Sequence, residues 1–154
     1  MNPKIITLSE KNIIGMQSTM HYGEYQNIVA LWKRFMPRRR EVLNAANEEH
    51  IAIQVYDDFN NFEKSFDIWA CVEVSSLNDI PKGMLPYTIP KGEYAVFLHK
   101  GMDAASTYKK IMTDWLPTSS YEIDDRPHFQ VMGAKYKNGS PDSEEDFYVP
   151  VKGR

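Results

Sequence analysis

The side chains able to do chemistry in this chain are few and scattered. His21, His50, His99 and His128 show no ligand spacing to one another or to Cys71, the single cysteine, so a zinc site is not expected. No GxSxG, HExxH, P-loop or GxGxxG stretch occurs, so no cofactor is expected. What remains is a set of aromatic and acidic residues on strand-like segments: Tyr56, Trp69, Glu73, Tyr136, Asp146 and Tyr148, with Gln54, Gln130 and Met132 beside them. Aromatic rings with a few polar groups in a concavity suit a small organic molecule. Acids next to rings suit an organic cation, through charge and cation–π attraction.

Those residues need a scaffold, and the apolar periodicity supplies one. Lys11–Met20 reads as a strand. From Tyr25 onward, Tyr25, Ile28, Val29, Trp32, Phe35 and Met36 recur at three- and four-residue spacing, which predicts a helix closed by Pro37. His50–Phe59 and Phe66–Val74 alternate like paired strands, with Asn60–Asn61 as turn residues. The same order then recurs: a strand from Lys91 to Gly101, and a helix capped by Asp103 with Ala105, Tyr108, Ile111, Met112 and Trp115 on one face. Pro117 closes that helix, and strands follow over His128–Tyr136 and Asp146–Val151. Trp32 and Trp115 are expected in the core, and Cys71 as a small buried hydrophobe.

Short matches tie the two series together. Phe35-Met36-Pro37 matches Trp115-Leu116-Pro117 at an offset of 80, and Asp67-Ile68-Trp69 matches Asp146-Phe147-Tyr148 at an offset of 79. Near-equal spacing argues for an internal duplication, with one half over about 1–80 and the other over about 81–154 of a single domain. The Pro- and Gly-rich stretch Ile80–Gly101 then reads as the join between halves, extended by Pro81, Pro86 and Pro90. The expected fold class is α+β. Two strand-helix-strand-strand units form an antiparallel sheet, with both helices on one face and a ligand cleft on the other. Alternation places Gln54, Tyr56, Trp69, Glu73, Gln130, Met132, Tyr136, Asp146 and Tyr148 on that cleft face, with Trp69 and Tyr148 as the sides of one slot.

Composition limits the function. The 154 residues carry a net charge of −3, so no basic footprint for nucleic acid is present. No stretch approaches the roughly 18 apolar residues a membrane span needs. One cysteine and no secretion signal point to the cytoplasm.

Val72–Gly101, Ile111–Pro117, Ser119–Met132 and the terminal "DFYVPVK" together resemble the GyrI-like small-molecule-binding proteins, also known as the effector-binding domain of AraC-type and multidrug-sensing regulators. The likeness is greatest to stand-alone members, including integron-associated ones. The resemblance implies a tandem-repeat fold with a cleft that takes amphipathic, often cationic, compounds. It sets Gln130 where the family commonly has Glu, Met132 where it has Tyr, and Asp146 at the Glu of the last strand. The expected function is a stand-alone binding module, acting as a sensor or sequestering protein, with a small-molecule ligand. The chain opens with a strand and offers no helix-turn-helix, so no direct DNA binding is expected. A homodimer or a regulatory protein partner stays open. The alternatives are a small hydrolase using Glu73, Asp146 or Tyr148, and a protein-interaction factor of the gyrase-inhibitor type.

Overall fold

A computed structural model describes residues 1–61 and 63–154. Among the described residues the fold is α+β, with nine antiparallel strands and two helices. The strands are β1 (Lys4–Leu8), β2 (Lys11–Met20), β3 (His50–Val55), β4 (Phe66–Glu73), β5 (Leu85–Ile89), β6 (Gly92–Lys100), β7 (Tyr121–Ile123), β8 (His128–Met132) and β9 (Glu144–Gly153). Helix α1 spans Tyr25–Phe35 and runs into a 3₁₀ segment at Met36–Glu41. Helix α2 spans Ala104–Lys110 and continues as a π-helical turn, Ile111–Trp115. The order strand, helix, strand, strand therefore occurs twice, as β2-α1-β3-β4 and β6-α2-β8-β9. Both strand-to-helix turns use a left-handed glycine, Gly23 at φ 94° and Gly101 at φ 91°. As the sequence implies, Asp103 caps α2, accepting from the Ser106 N–H at 3.1 Å.

The chain has three strands that sequence alternation does not reveal: β1, β5 and β7. β5 lies inside the stretch expected to be a join, and Pro86 sits within it opposite Ile14. β5 lies at the end of the strand order, where proline is tolerated. The strands lie in the order β1-β6-β9-β8-β3-β4-β2-β5, and β7 adds to the far end of β9. In a flat sheet, six strand spacings would separate β1 from β2, about 29 Å. Only Ser9 and Glu10 join them, and three Cα steps reach about 11 Å. The sheet must therefore curl. Leu8 faces Gly92 and Lys11 faces Ile89, so the pairing of 4–15 with 85–96 keeps one register through the bend.

The curl decides which face is inside. Ile13, Ile51, Ile53, Trp69, Cys71, Ile89, Tyr94 and Phe129 point to the helix-free, concave side and pack as one buried cluster. Among the described residues no helix covers this side; the sheet covers itself. On the convex side, Ile14, Met16, Met20, Ile68, Ala70 and Val72 pack under Leu31 and Phe35 of α1. Ala95, Phe97, Phe147, Val149 and Val151 pack under Ile111, with Tyr108, Met112 and Trp115 around them. Leu31 joins the α1 core stripe, whereas Tyr25, Val29 and Met36 are 49%, 53% and 46% exposed.

Candidate functional site between the two helices

The ladders split the expected site in two. Ile53 pairs with Trp69 and with Phe129, and Phe129 pairs with Tyr148, so these four share the concave side. Trp69 is only 6% exposed and stacks on Tyr87, with centroids 5.2 Å apart. Tyr148 stacks on Phe129 at 4.4 Å and 10°. The two rings thus have separate partners and do not form one slot. Asp146 lies on the same side, opposite Val131 and Leu98. So does Glu73, whose carboxylate is held by the Lys11 ammonium at 3.0 Å. Burial, then Asp146, Glu49 and Glu73, raises the Tyr148 hydroxyl above its ordinary value. The concave side expected to hold a cleft is packed with its own side chains.

Gln54, Gln130 and Met132 point the other way. Gln54 pairs with Ile68 and with His128, and Gln130 with Ala52 and Phe147, all on the convex side. The reason lies in β3 and β8, the two central strands. α1 packs over β2 and β4, and α2 with its π turn over β6 and β9. No helix covers the middle, so β3 and β8 turn Ile51, Ile53 and Phe129 inward. Their outward residues Ala52, Gln54, Gln130 and Met132 are left half-buried. These residues floor a trough between the helices.

The trough has aromatic walls. Tyr25, Val29, Trp32 and Met36 follow one another at four-, three- and four-residue steps, a second apolar stripe beside the core stripe of α1. Trp32 is half-buried: it packs against the α1 core, edge-on to Phe35 at 6.0 Å, as expected, and also meets the His50 ring edge-on at 6.2 Å. On the opposite wall, the Tyr108 hydroxyl of α2 is hydrogen-bonded to His128 Nδ1. Burial, then Arg126, drives His128 down to about 3, so it is neutral at physiological pH. Tyr56 lies just past β3, edge-on to His128 at 5.2 Å, and Phe59 stacks on the same ring at 4.9 Å. Tyr56 therefore stands on the convex side, at one end of the trough.

Polar groups are sparse along the floor. Gln54 and Gln130 exchange two side-chain hydrogen bonds, each 2.8 Å. At the opposite end from Tyr56, Arg39 Nε donates to His50 Nε2 at 3.3 Å, and Arg39 Nη2 donates to the Asn47 carbonyl at 2.9 Å. Burial, then Arg39, lowers His50 below its ordinary value. Glu145 shares the convex side with Phe147, opposite His99, and burial followed by Asp146 pushes its carboxyl up to about 7. Tyr136 sits in the turn after β8, its hydroxyl donating to Asn138 Oδ1 at 3.3 Å. Burial, then Glu145, raises that hydroxyl. Sequence reasoning missed Trp32, Tyr108, His128 and Glu145 as site residues. The stripe holding Trp32 was visible, but its division into a core row and a trough row was not.

Residues 1–152 match the family model for the GyrI-like small molecule binding domain. The chain belongs to the GyrI-like family. A curated relative, the transcriptional regulator BrlR of Pseudomonas aeruginosa, is 26% identical over 156 residues. That alignment takes in 98% of this chain and 56% of the regulator, so the chain spans about half the length of this relative. Among solved structures, SAV2435 bound to tetraphenylphosphonium superposes with a TM-score of 0.73 at 17% identity, covering 99% of this chain and 95% of that one. An integron cassette protein from the mobile metagenome of Vibrio cholerae gives 0.63 at 15% identity, covering 98% and 96%. At these identities the structural likeness carries the GyrI-like fold. Among the described residues, no group of three or more His, Cys, Asp or Glu could hold a metal, and no helix is long and apolar enough to cross a membrane.

Proposed function

We propose that the trough between α1 and α2 receives an amphipathic aromatic small molecule, and that the domain works as a sensor or sequestering module in transcription regulation or drug response. The observation that carries this reading is the stripe Tyr25-Val29-Trp32-Met36, apolar and half-exposed beside a floor that no helix covers. Stably exposed apolar surface of this kind marks a binding site more often than chance packing. The relation to a transcriptional regulator and the likeness to a protein solved with an organic cation both support it. Tyr56, Gln130, Met132 and Tyr136 are the expected ligand residues that remain in this proposal; Trp32, Tyr108 and Glu145 join them. Trp69, Glu73, Asp146 and Tyr148 move to the concave core and its rim.

The test is a fluorescence titration with rhodamine 6G. One aromatic contact contributes about 0.5–1.5 kcal/mol. Trp32→Ala should therefore weaken binding roughly 2- to 10-fold. An unchanged Kd in a folded Trp32→Ala protein means the ligand binds elsewhere.

A further inference from the structure

The centre of the trough floor is an amide pair. Gln54 Nε2 donates to Gln130 Oε1 and Gln130 Nε2 donates to Gln54 Oε1, both at 2.8 Å. Each amide has two N–H groups and an oxygen with two lone pairs, and the pair uses one of each. One N–H and one lone pair per glutamine remain for a guest. Both side chains are half-buried.

The surrounding charges do not favour a cation. At the His50 end of the floor the Arg39 guanidinium stands beside the ring, and the Glu48 carboxylate acts on the same ring more weakly. His128, beneath the other end, is neutral. Glu145 is a half-buried carboxyl pushed up to about 7, so at neutral pH it carries only about half a negative charge. The acids Glu73 and Asp146 are on the opposite side of the sheet.

We infer that the Gln54–Gln130 pair makes this site select a neutral, flat aromatic ligand bearing a lactam- or imide-type edge over a lipophilic cation of the same shape. The inference rests on the trough reading above. A donor and acceptor side by side on the ligand satisfy one free N–H and one free lone pair of the pair at once. A ligand lacking them leaves half-buried amide groups unpaired, and sites built on hydrogen bonds reject such ligands more strongly than apolar pockets reject a wrong shape.

The experiment titrates three probes of one three-ring frame into the full chain: 6(5H)-phenanthridinone, its N-methyl derivative, and 5-methylphenanthridinium. The lactam should bind about tenfold more tightly than either of the others, from roughly one hydrogen bond's net worth. The double variant Gln54→Leu/Gln130→Leu, which replaces both partners and strands neither, should erase that difference. Gln130→Glu should turn the preference towards the cation. Equal or tighter binding of the cation by the unmodified protein overturns the inference, and so does a lactam preference that survives the double substitution. If all three probes bind, weaken together in Trp32→Ala and are not discriminated, the amide inference fails alone. If none binds, or if Trp32→Ala affects none, the trough reading fails with it. Should the double variant not fold, the three-probe comparison on the unmodified protein still decides.

Discussion

Replacing Trp69 with Ala separates the two faces of the sheet. Trp69 is 6% exposed, packed with Ile13, Ile51, Ile53 and Cys71 and stacked on Tyr87. Truncating a buried Trp or Phe to Ala costs about 3–5 kcal/mol, from lost transfer free energy and the cavity left behind. That is a large share of the roughly 5–15 kcal/mol that holds a domain together. For a chain of this size each kcal/mol shifts the melting temperature by about 2–4 °C, so Trp69→Ala should melt roughly 6–20 °C lower. Thermal and urea denaturation followed by circular dichroism would measure it. A ring that only lines a ligand slot would leave both curves almost unmoved. A melting temperature within about 2 °C of the parent protein would refute the claim that the concave side is core.

Two further outcomes follow from the same packing. The Glu145 carboxyl is raised from 4.5 to about 7, so the folded state holds a proton that the unfolded chain releases. Between those values stability should fall as pH rises, and Glu145→Gln should flatten that slope in urea titrations run at pH 4.5 to 7.5. Cys71 is fully buried, its thiol donates to the Ile51 carbonyl at 3.3 Å, and burial raises it well above its ordinary value. It should react with a thiol reagent such as dithiobis-nitrobenzoate only as fast as the protein unfolds, and rapid labelling of the native state would contradict its placement.

The long periodic segments were legible because each has one buried face. The two strand-helix-strand-strand series, the Asp103 cap and the burial of Cys71 all follow from local pattern. The extra strands were not legible. β1 is short, and β5 contains Pro86; both exist because each continues into a neighbouring strand across two residues. The face of β3 was misjudged for a related reason. Ile51 and Ile53 alternate with Ala52 and Gln54, and alternation alone does not tell which side is covered. The long-range curl, tied by the Leu8–Gly92 and Lys11–Ile89 pairings, makes the helix-free side the drier one. Site residues divide the same way. Alternation sets Gln130, Met132, Trp69 and Tyr148 on one face, yet Gln130 and Met132, which the family resemblance also marks, fall in the trough, whereas Trp69 falls in the concave core and Tyr148 packs against it.

In the proposed function, ligands enter between the helices and not inside the curl of the sheet. A crystal structure of the protein soaked with rhodamine 6G tests it most directly. The dye's rings should lie against Trp32 and Tyr108, above Gln54 and Gln130, with Trp69 still stacked on Tyr87. Dye density on the concave side, separating Trp69 from Tyr87 or Tyr148 from Phe129, would contradict it.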